Sequence, residues 1–233
     1  MGATTGLPAL CRRRVATYNR QRMESSSVKR TELLSASPPM FENRLLDSLS
    51  RVHPAVPPVI FLPAIVLTFV VGAGRIGVGR TLLAVVLGYV VWTLTEYWLH
   101  RLVFHFEPEA GIGARLHWII HGVHHDHPND PLRLVMPPSV SVPLATGFFF
   151  LFDVAVGTDW ALGLFCGFIA GYLAYDMLHY HTHHHRPKSR LGRKLRELHM
   201  RHHFQDHHAG YGVSAPYWDH VFGTAPKLRR RGS

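Results

Sequence analysis

The chain has 233 residues, with 25 Lys and Arg against 15 Asp and Glu, 19 His, 2 Cys and a formal net charge of +10. This length suits one domain with its own core. Cys11 and Cys166 alone exclude a disulfide framework or a thiolate zinc site, which need more cysteines at short spacing, so the histidine excess asks for a metal explanation first.

Mean hydropathy is +0.03, but that value averages a polar, basic part with a strongly apolar one. Residues 1–50 are polar, with Arg12-Arg13-Arg14, Ser25-Ser26-Ser27 and no acid before Glu24. They read as a disordered tail, or as residues ahead of a start at Met23 or Met40, in preference to an Arg- and Ser-rich organellar transit segment.

Four apolar blocks follow. Uncharged runs cover 54–74 (21 residues), 81–95 (15, with the pattern continuing through Tyr97, Trp98 and Leu99), 134–152 (19) and 160–175 (16). A membrane-spanning helix needs about 20 mostly apolar residues, so each block predicts one span. The short connections 72–79 and 153–159 make two hairpins. The N-terminus, the long connection 100–133 and the segment 179–233 then share one side. The run 186–201 carries seven Lys or Arg and one Glu, and 227–231 is basic again. By the positive-inside rule that side is cytoplasmic; Arg75 and Arg80 on the other side are outnumbered. The expected fold is all-α and integral to the membrane. It has four transmembrane helices in two hairpins and a cytosolic His-rich helical cap over 51–225, followed by a basic tail at 226–233.

Eighteen of the 19 histidines fall between positions 100 and 220, and none lies inside an apolar block. Four clusters stand out: HRLVFH (100–105), HGVHH (121–125), HYHTHHH (179–185) and HMRHH (199–203). Residues at i, i+3 and i+4 share a helix face. That groups His121, His124 and His125, then His199, His202 and His203, then His179 and His183. His181 and His185 have the same spacing, so spacing leaves the register of the third cluster open. His100 and His105 are about 140° apart on an ideal helix. They face one point only if the helix bends or ends, and Pro108 predicts a loss of register near His105. Ten imidazoles suit two metals, and imidazole suits Zn, Cu, Fe and Ni alike.

Asp126, Asp176 and Asp206, each near a cluster, are candidates to orient a ligand from outside. His53 reads as structural, and His117, His127, His181, His207, His208 and His220 as surface or outer positions. Trp98, Phe104, Trp118, Tyr180, Tyr217 and Trp218 read either as an interfacial aromatic belt or as the lining of a lipid entrance, with the belt favoured.

The four clusters resemble those of the fatty acid hydroxylase superfamily of membrane di-metal oxygenases, nearest to its fatty acid 2-hydroxylases acting on sphingolipid acyl chains. The resemblance covers residues 50–225. It rests on HRLVFH, HGVHHDHPND followed by RLVMPP, GYLAYDMLHYHTHHH and HMRHHFQDHHAGYGVSAPYWDHVFGT. It implies that His179, Tyr180, His183 and His184 fill the family's H-Y-x-x-H-H. His179 and His183 are then ligands, beside His100, His105, His121, His124, His125, His199, His202 and His203; Tyr180 and His184 stand just outside.

The resemblance further implies two iron ions, with zinc in recombinant material, and O2-dependent hydroxylation next to the acyl carbonyl of a fatty acyl or ceramide lipid. Such chemistry needs a redox metal, which zinc is not. The His-Pro-Gly-Gly haem motif of many eukaryotic members is absent; the early His53-Pro54 is followed by Ala55-Val56. A separate electron donor, of cytochrome b5 or ferredoxin type with its reductase, is therefore expected. So is residence in the endoplasmic reticulum of a eukaryote or the inner membrane of a bacterium.

Two further functions compete with this reading. One is a carotenoid or sterol hydroxylase or desaturase of the same superfamily. The other is a zinc or iron transporter, whose ligands would lie near the bilayer midplane, where this chain has no histidine. Nucleic acid is not an expected partner, because the basic residues flank the membrane segments and suit lipid head groups.

Overall fold

A computed structural model describes residues 30–226, and these are helical with no strand among them. The Arg-rich start and the basic residues 227–233 lie outside the described residues. Ten α-helices run in order among those described: α1 Arg30–Leu34, α2 Arg44–Leu49, α3 Val56–Ile76, α4 Val78–Leu99, α5 Gly111–His117, α6 Val123–Asp126, α7 Pro138–Val156, α8 Thr158–His184, α9 Arg190–Phe204 and α10 Tyr217–Val221. Two π-helical turns, His100–Phe104 and Trp118–Gly122, interrupt this series.

Four helices are long and apolar enough to cross a membrane: α3, α4 with the π-turn that continues it, α7 and α8. A helix is the form in which an open chain satisfies its own peptide groups in lipid. The two hairpins expected from the short connections are present, and they turn in the same way. Gly77 (φ 82°, ψ 154°) ends α3 and starts α4, and Gly157 (φ 81°, ψ 156°) does so for α7 and α8. Only glycine adopts that region freely. At this end Arg75 pairs with Asp159 at 3.1 Å, which ties one hairpin tip to the other and gives a basic residue on that side a counter-charge.

α8 is the central helix. Some 67% of its apolar window is buried, against 11–28% for the other three, whose Val66, Val70, Leu82, Val86, Leu151 and Val154 point outward. It packs on α4 at backbone contact. A Cβ on Gly88 would stand 1.9 Å from Leu164 O, and one on Gly167 1.9 Å from Val85 O; Gly163 faces Ala84 in the same row. Gly163, Gly167 and Gly171 recur every fourth residue, the small-residue spacing that lets membrane helices approach closely. Above them Trp92 packs edge-on to Phe168 and Tyr172.

α8 and the helix from Val78 to Phe104 are each 27 residues long, about 40 Å at 1.5 Å per residue. A hydrocarbon core is about 30 Å thick. The other ends are tight glycine hairpins, so the surplus turns project at the end that carries His100, His179 and His183.

Residues 30–50 depart from the expected disordered tail. Asn43 caps α2 by accepting from the N–H groups of Leu45 and Leu46. Arg133 Nη2 donates to Asp47 Oδ1 at 2.7 Å, and His127 Nδ1–H to Leu33 O at 2.7 Å. Arg133 holds Asp47 far below the usual carboxylate range. This segment neutralises a guanidinium buried in the 127–133 loop and gives backbone acceptors to His127, Asn129 and Arg115, interactions without hydrophobic periodicity.

Candidate metal centre

The ten histidines come together as two groups of five. His100, His105, His121, His125 and His202 form one; His124, His179, His183, His199 and His203 form the other. Within each group the donor nitrogens lie within 4.8 Å of one another. The clusters do not each serve one point, as a shared helix face suggested. His121 and His125 turn to the first group while His124 turns to the second, and on α9 His202 goes to the first while His199 and His203 go to the second. Both segments thus bridge the two groups.

The loss of register expected near His105 is present, and it takes the form of a π-turn over His100–Phe104 at which the helix ends. His105 N–H donates to His100 O at 3.2 Å, an i→i+5 bond that widens the helix and returns residues five apart to one face. A second π-turn, at 118–122, carries His121. Such turns interrupt α-helices frequently at functional sites, but they leave no mark in the pattern of apolar residues.

Distances between donors test the fit to a metal. In the first group the Nε2 atoms of His105 and His202, and of His121 and His125, are 3.0 Å apart. In the second, His124 stands 3.0 Å from both His179 and His203, and His199 stands 2.8 Å from His183 and 3.1 Å from His203. An ion with metal–nitrogen bonds of about 2.1 Å places adjacent octahedral donors about 3.0 Å apart and tetrahedral ones about 3.4 Å apart. The Nε2 of His100 is buried with no hydrogen-bond partner among the described residues. Lone pairs converging this closely repel unless a cation sits among them, so the donor set fits two metal ions.

Protonation agrees. Burial, followed by neighbouring imidazoles, lowers His105 to about 4 and His202 to about 3. The same causes hold His121, His124, His199 and His203 well below the ordinary imidazole value. All six are neutral at pH 7, the form that binds metal.

The proposed orienting carboxylates do not touch the ten rings. Asp126 accepts from Trp118 Nε1, Asp176 from the N–H of Met136 and from the Tyr172 hydroxyl, and Asp206 from the His208 N–H. Two outer nitrogens of the first group have backbone partners instead, and a third lies near a different carboxylate without a hydrogen bond. His100 Nδ1 is 2.6 Å from Tyr211 O, His202 Nδ1 is 2.9 Å from Ala209 O, and His105 Nδ1 is 3.4 Å from Glu107 Oε1. Backbone carbonyls are invisible to a search for side chains; Glu107, two residues after His105, was within reach of one.

His184 and Tyr180 stack on each other at 4.4 Å, and His181 stacks on His185 at 4.8 Å. None of these four joins either group, so the open register resolves to His179 and His183. Of the six aromatic residues considered for an entrance, Phe104 stacks on His121 at 5.1 Å. Trp98 and Trp218 pack on Phe222, as belt or packing residues would.

Four spanning helices with a polyhistidine site gathered at one end define an integral membrane protein of the histidine-box type. The sequence model described as fatty acid hydroxylase matches residues 85–224, and the chain belongs to that family. A dihydroceramide fatty acyl 2-hydroxylase of Arabidopsis thaliana is 35% identical over 196 residues, covering 82% of this chain and 81% of the relative. A ceramide very long chain fatty acid hydroxylase of Saccharomyces cerevisiae is 38% identical over 191 residues, covering 81% and 49%. A fatty acid 2-hydroxylase of Rattus norvegicus is 38% identical over 143 residues, covering 60% and 38%. The chain thus spans about half of the yeast relative and less of the rat one. The solved structure of full-length scs7p, with only its hydroxylase domain visible, superposes with a TM-score of 0.77 at 36% identity, covering 83% of this chain and 74% of that one.

Proposed function

We propose that the chain is an O2-dependent lipid hydroxylase that places a hydroxyl on C2 of a fatty acyl chain, free or within a ceramide. The observation that carries this reading is the pair of five-imidazole groups with donors about 3 Å apart, in a member of a family whose named relatives are acyl 2-hydroxylases. His100, His105, His121, His125 and His202 would hold one iron, and His124, His179, His183, His199 and His203 the other. When bound, the metals supply O2 reduction and C–H oxidation, drawing two electrons from a separate donor protein.

The chain's own residues do the rest. They hold ten imidazoles converging, and His125 and His203 make a common wall between the two groups. The projecting ends of α4 and α8 set this site at the membrane interface, where an acyl chain lying among the helices reaches it from the lipid side. The basic surplus on that side supports a cytoplasmic orientation.

The test is metal analysis of anaerobically purified protein, coupled to O2- and reductant-dependent turnover on a fatty acid and a ceramide. The expected result is about two irons per chain and 2-hydroxy acyl products by mass spectrometry. Unchanged acyl chains with altered carotenoids or sterols would move the activity elsewhere in the superfamily. Metal transport without O2 consumption would reject an oxygenase altogether.

A further inference from the structure

The outer nitrogens of the two histidine groups are treated differently. In the second group the Nδ1 atoms of His183, His199 and His203 are buried with no partner among the described residues. In the first, the Nδ1 of His105 likewise makes no hydrogen bond among the described residues, but those of His100 and His202 face the carbonyls of Tyr211 and Ala209. A carbonyl only accepts, so each Nδ1 there carries the proton and each Nε2 presents its lone pair inward. Two ligands thus depend on one short loop, and what fixes that loop fixes them.

Two buried carboxylates do this. Asp219, on α10 and 2% exposed, accepts from Tyr211 N–H through Oδ1 at 2.8 Å and from Gly212 N–H through Oδ2 at 2.9 Å. Its Oδ1 also takes the Thr224 hydroxyl at 2.8 Å, and Thr224 O accepts from Gly210 N–H at 2.9 Å. Glu96, one turn before His100 on α4 and 3% exposed, accepts from the N–H of Ser214 at 2.7 Å and from its hydroxyl. The loop leaves no slack: Gly210 sits at φ +81°, and a Cβ on Gly212 would stand 2.4 Å from Ala215 O. Neither carboxylate is hydrogen bonded to a histidine ring.

We propose that Asp219 and Glu96 are positioning residues for the first histidine group, acting through the loop 209–215 to set the tautomer and aim of His100 and His202. This rests on the ten histidines being metal ligands. It adds that the two metals are held unequally, because only one of them depends on this loop. The known cost of losing an outer hydrogen bond to a metal-bound histidine is about 10–100-fold in affinity.

The experiment uses the full chain loaded with zinc and dialysed against graded strengths of a chelator, with retained zinc counted per chain. His100→Ala and His183→Ala identify which metal is lost. Asp219→Asn places an amide where two N–H groups need acceptors. It should retain one zinc at chelator strengths where the wild type retains two, with at least a 10-fold loss of affinity at the first group. The second group's affinity should not move, whatever the lost acceptor costs the zinc-free chain in thermal midpoint. Glu96→Ala should act in the same direction. Glu96→Gln should restore the wild-type pattern, because its amide oxygen accepts from Ser214 N–H while its NH2 donates to the Ser214 hydroxyl.

Wild-type retention of both metals in Asp219→Asn and Glu96→Ala would overturn the proposal. So would parallel loss of both metals with a falling midpoint, which marks a merely structural role. A wild-type chain that takes up no zinc would reject the metal reading itself, a distinguishable failure.

Discussion

His125 and His203 stack ring on ring, with centroids 4.2 Å apart and planes 25° from parallel, yet they belong to different five-membered groups. Each ring is the other's wall. Removing one therefore opens a gap beside the group it does not serve. His203→Ala should lose the metal of the second group and weaken that of the first by a few-fold. His183→Ala, whose contacts lie within its own group, should affect the second group alone. Metal content per chain and chelator competition distinguish the two variants, and equal behaviour would mean that the shared wall carries no coupling.

Acid should release the metals and then loosen the protein. The folded metal-free state holds His105 near 4 and His202 near 3, below the ordinary value of about 6.5 for an exposed imidazole. A lowered folded value means that the unfolded chain binds more protons. The stability from these rings is therefore full above about pH 6.5 and falls as pH drops toward 3–4. Thermal midpoints of metal-free protein in detergent, taken from pH 8 to pH 4, should decline on the acid side, and a flat profile would contradict the burial of these rings.

The approach of α4 and α8 leaves no room for a side chain at Gly88 or Gly167. Gly167→Leu should cost about 3 kcal/mol, the upper end of ordinary overpacking, and should separate the two helices that carry His100, His179 and His183. Loss of metal should accompany loss of stability. Gly74→Ala, where a Cβ meets nothing within 4 Å, should leave both unchanged in the same assays.

Asp47→Ala should detach the N-terminal helices without emptying the site. Arg133, with a side chain 2% exposed, would keep Asp130 at 3.7 Å as a carboxylate and the hydroxyls of Ser50 and Ser37 as neutral acceptors. Breaking a buried pair costs about 3–5 kcal/mol; because Asp47 is at the edge and a second carboxylate remains, about 2 kcal/mol is expected. Limited proteolysis should cut within 35–50 in the variant while metal content holds. Resistance equal to wild type would place the anchoring elsewhere.

Much of this architecture is legible in the residues. Charge-free runs that stop at Arg75, Glu96, Asp153 and Asp176 mark all four spans, and the i, i+4 histidines announce the site because both properties depend on local spacing. The assignment of His124 and His202 to opposite groups from their neighbours is not legible, since it depends on where other helices stand. The support given by Ala209 and Tyr211 is hidden for another reason: a carbonyl is common to every residue. The docking of 30–50 rests on polar contacts, Arg133 to Asp47, His127 to Leu33 O, Asn129 N–H to Leu34 O and Arg115 to Met40 O, and polar anchors have no period. The glycine spacing of α8 was open to reading, but its meaning lies in Val85 and Leu164 across the interface.

The π-turn at His100–Phe104 has one more consequence. A continuous α-helix fixes the phase of everything along it, so a residue turned toward lipid in its first turn dictates the direction of a residue in its last. The wide turn works as a register clutch. The part of α4 before His100 is phased by Gly88 and Trp92 against α8, while His105 is placed by the imidazoles, Glu107 and Tyr211 around it. Substitutions that rotate or retune the membrane portion can thus accumulate without swinging His105 away from its partners, whereas deleting one residue between Arg101 and Phe104 would lock the two phases together.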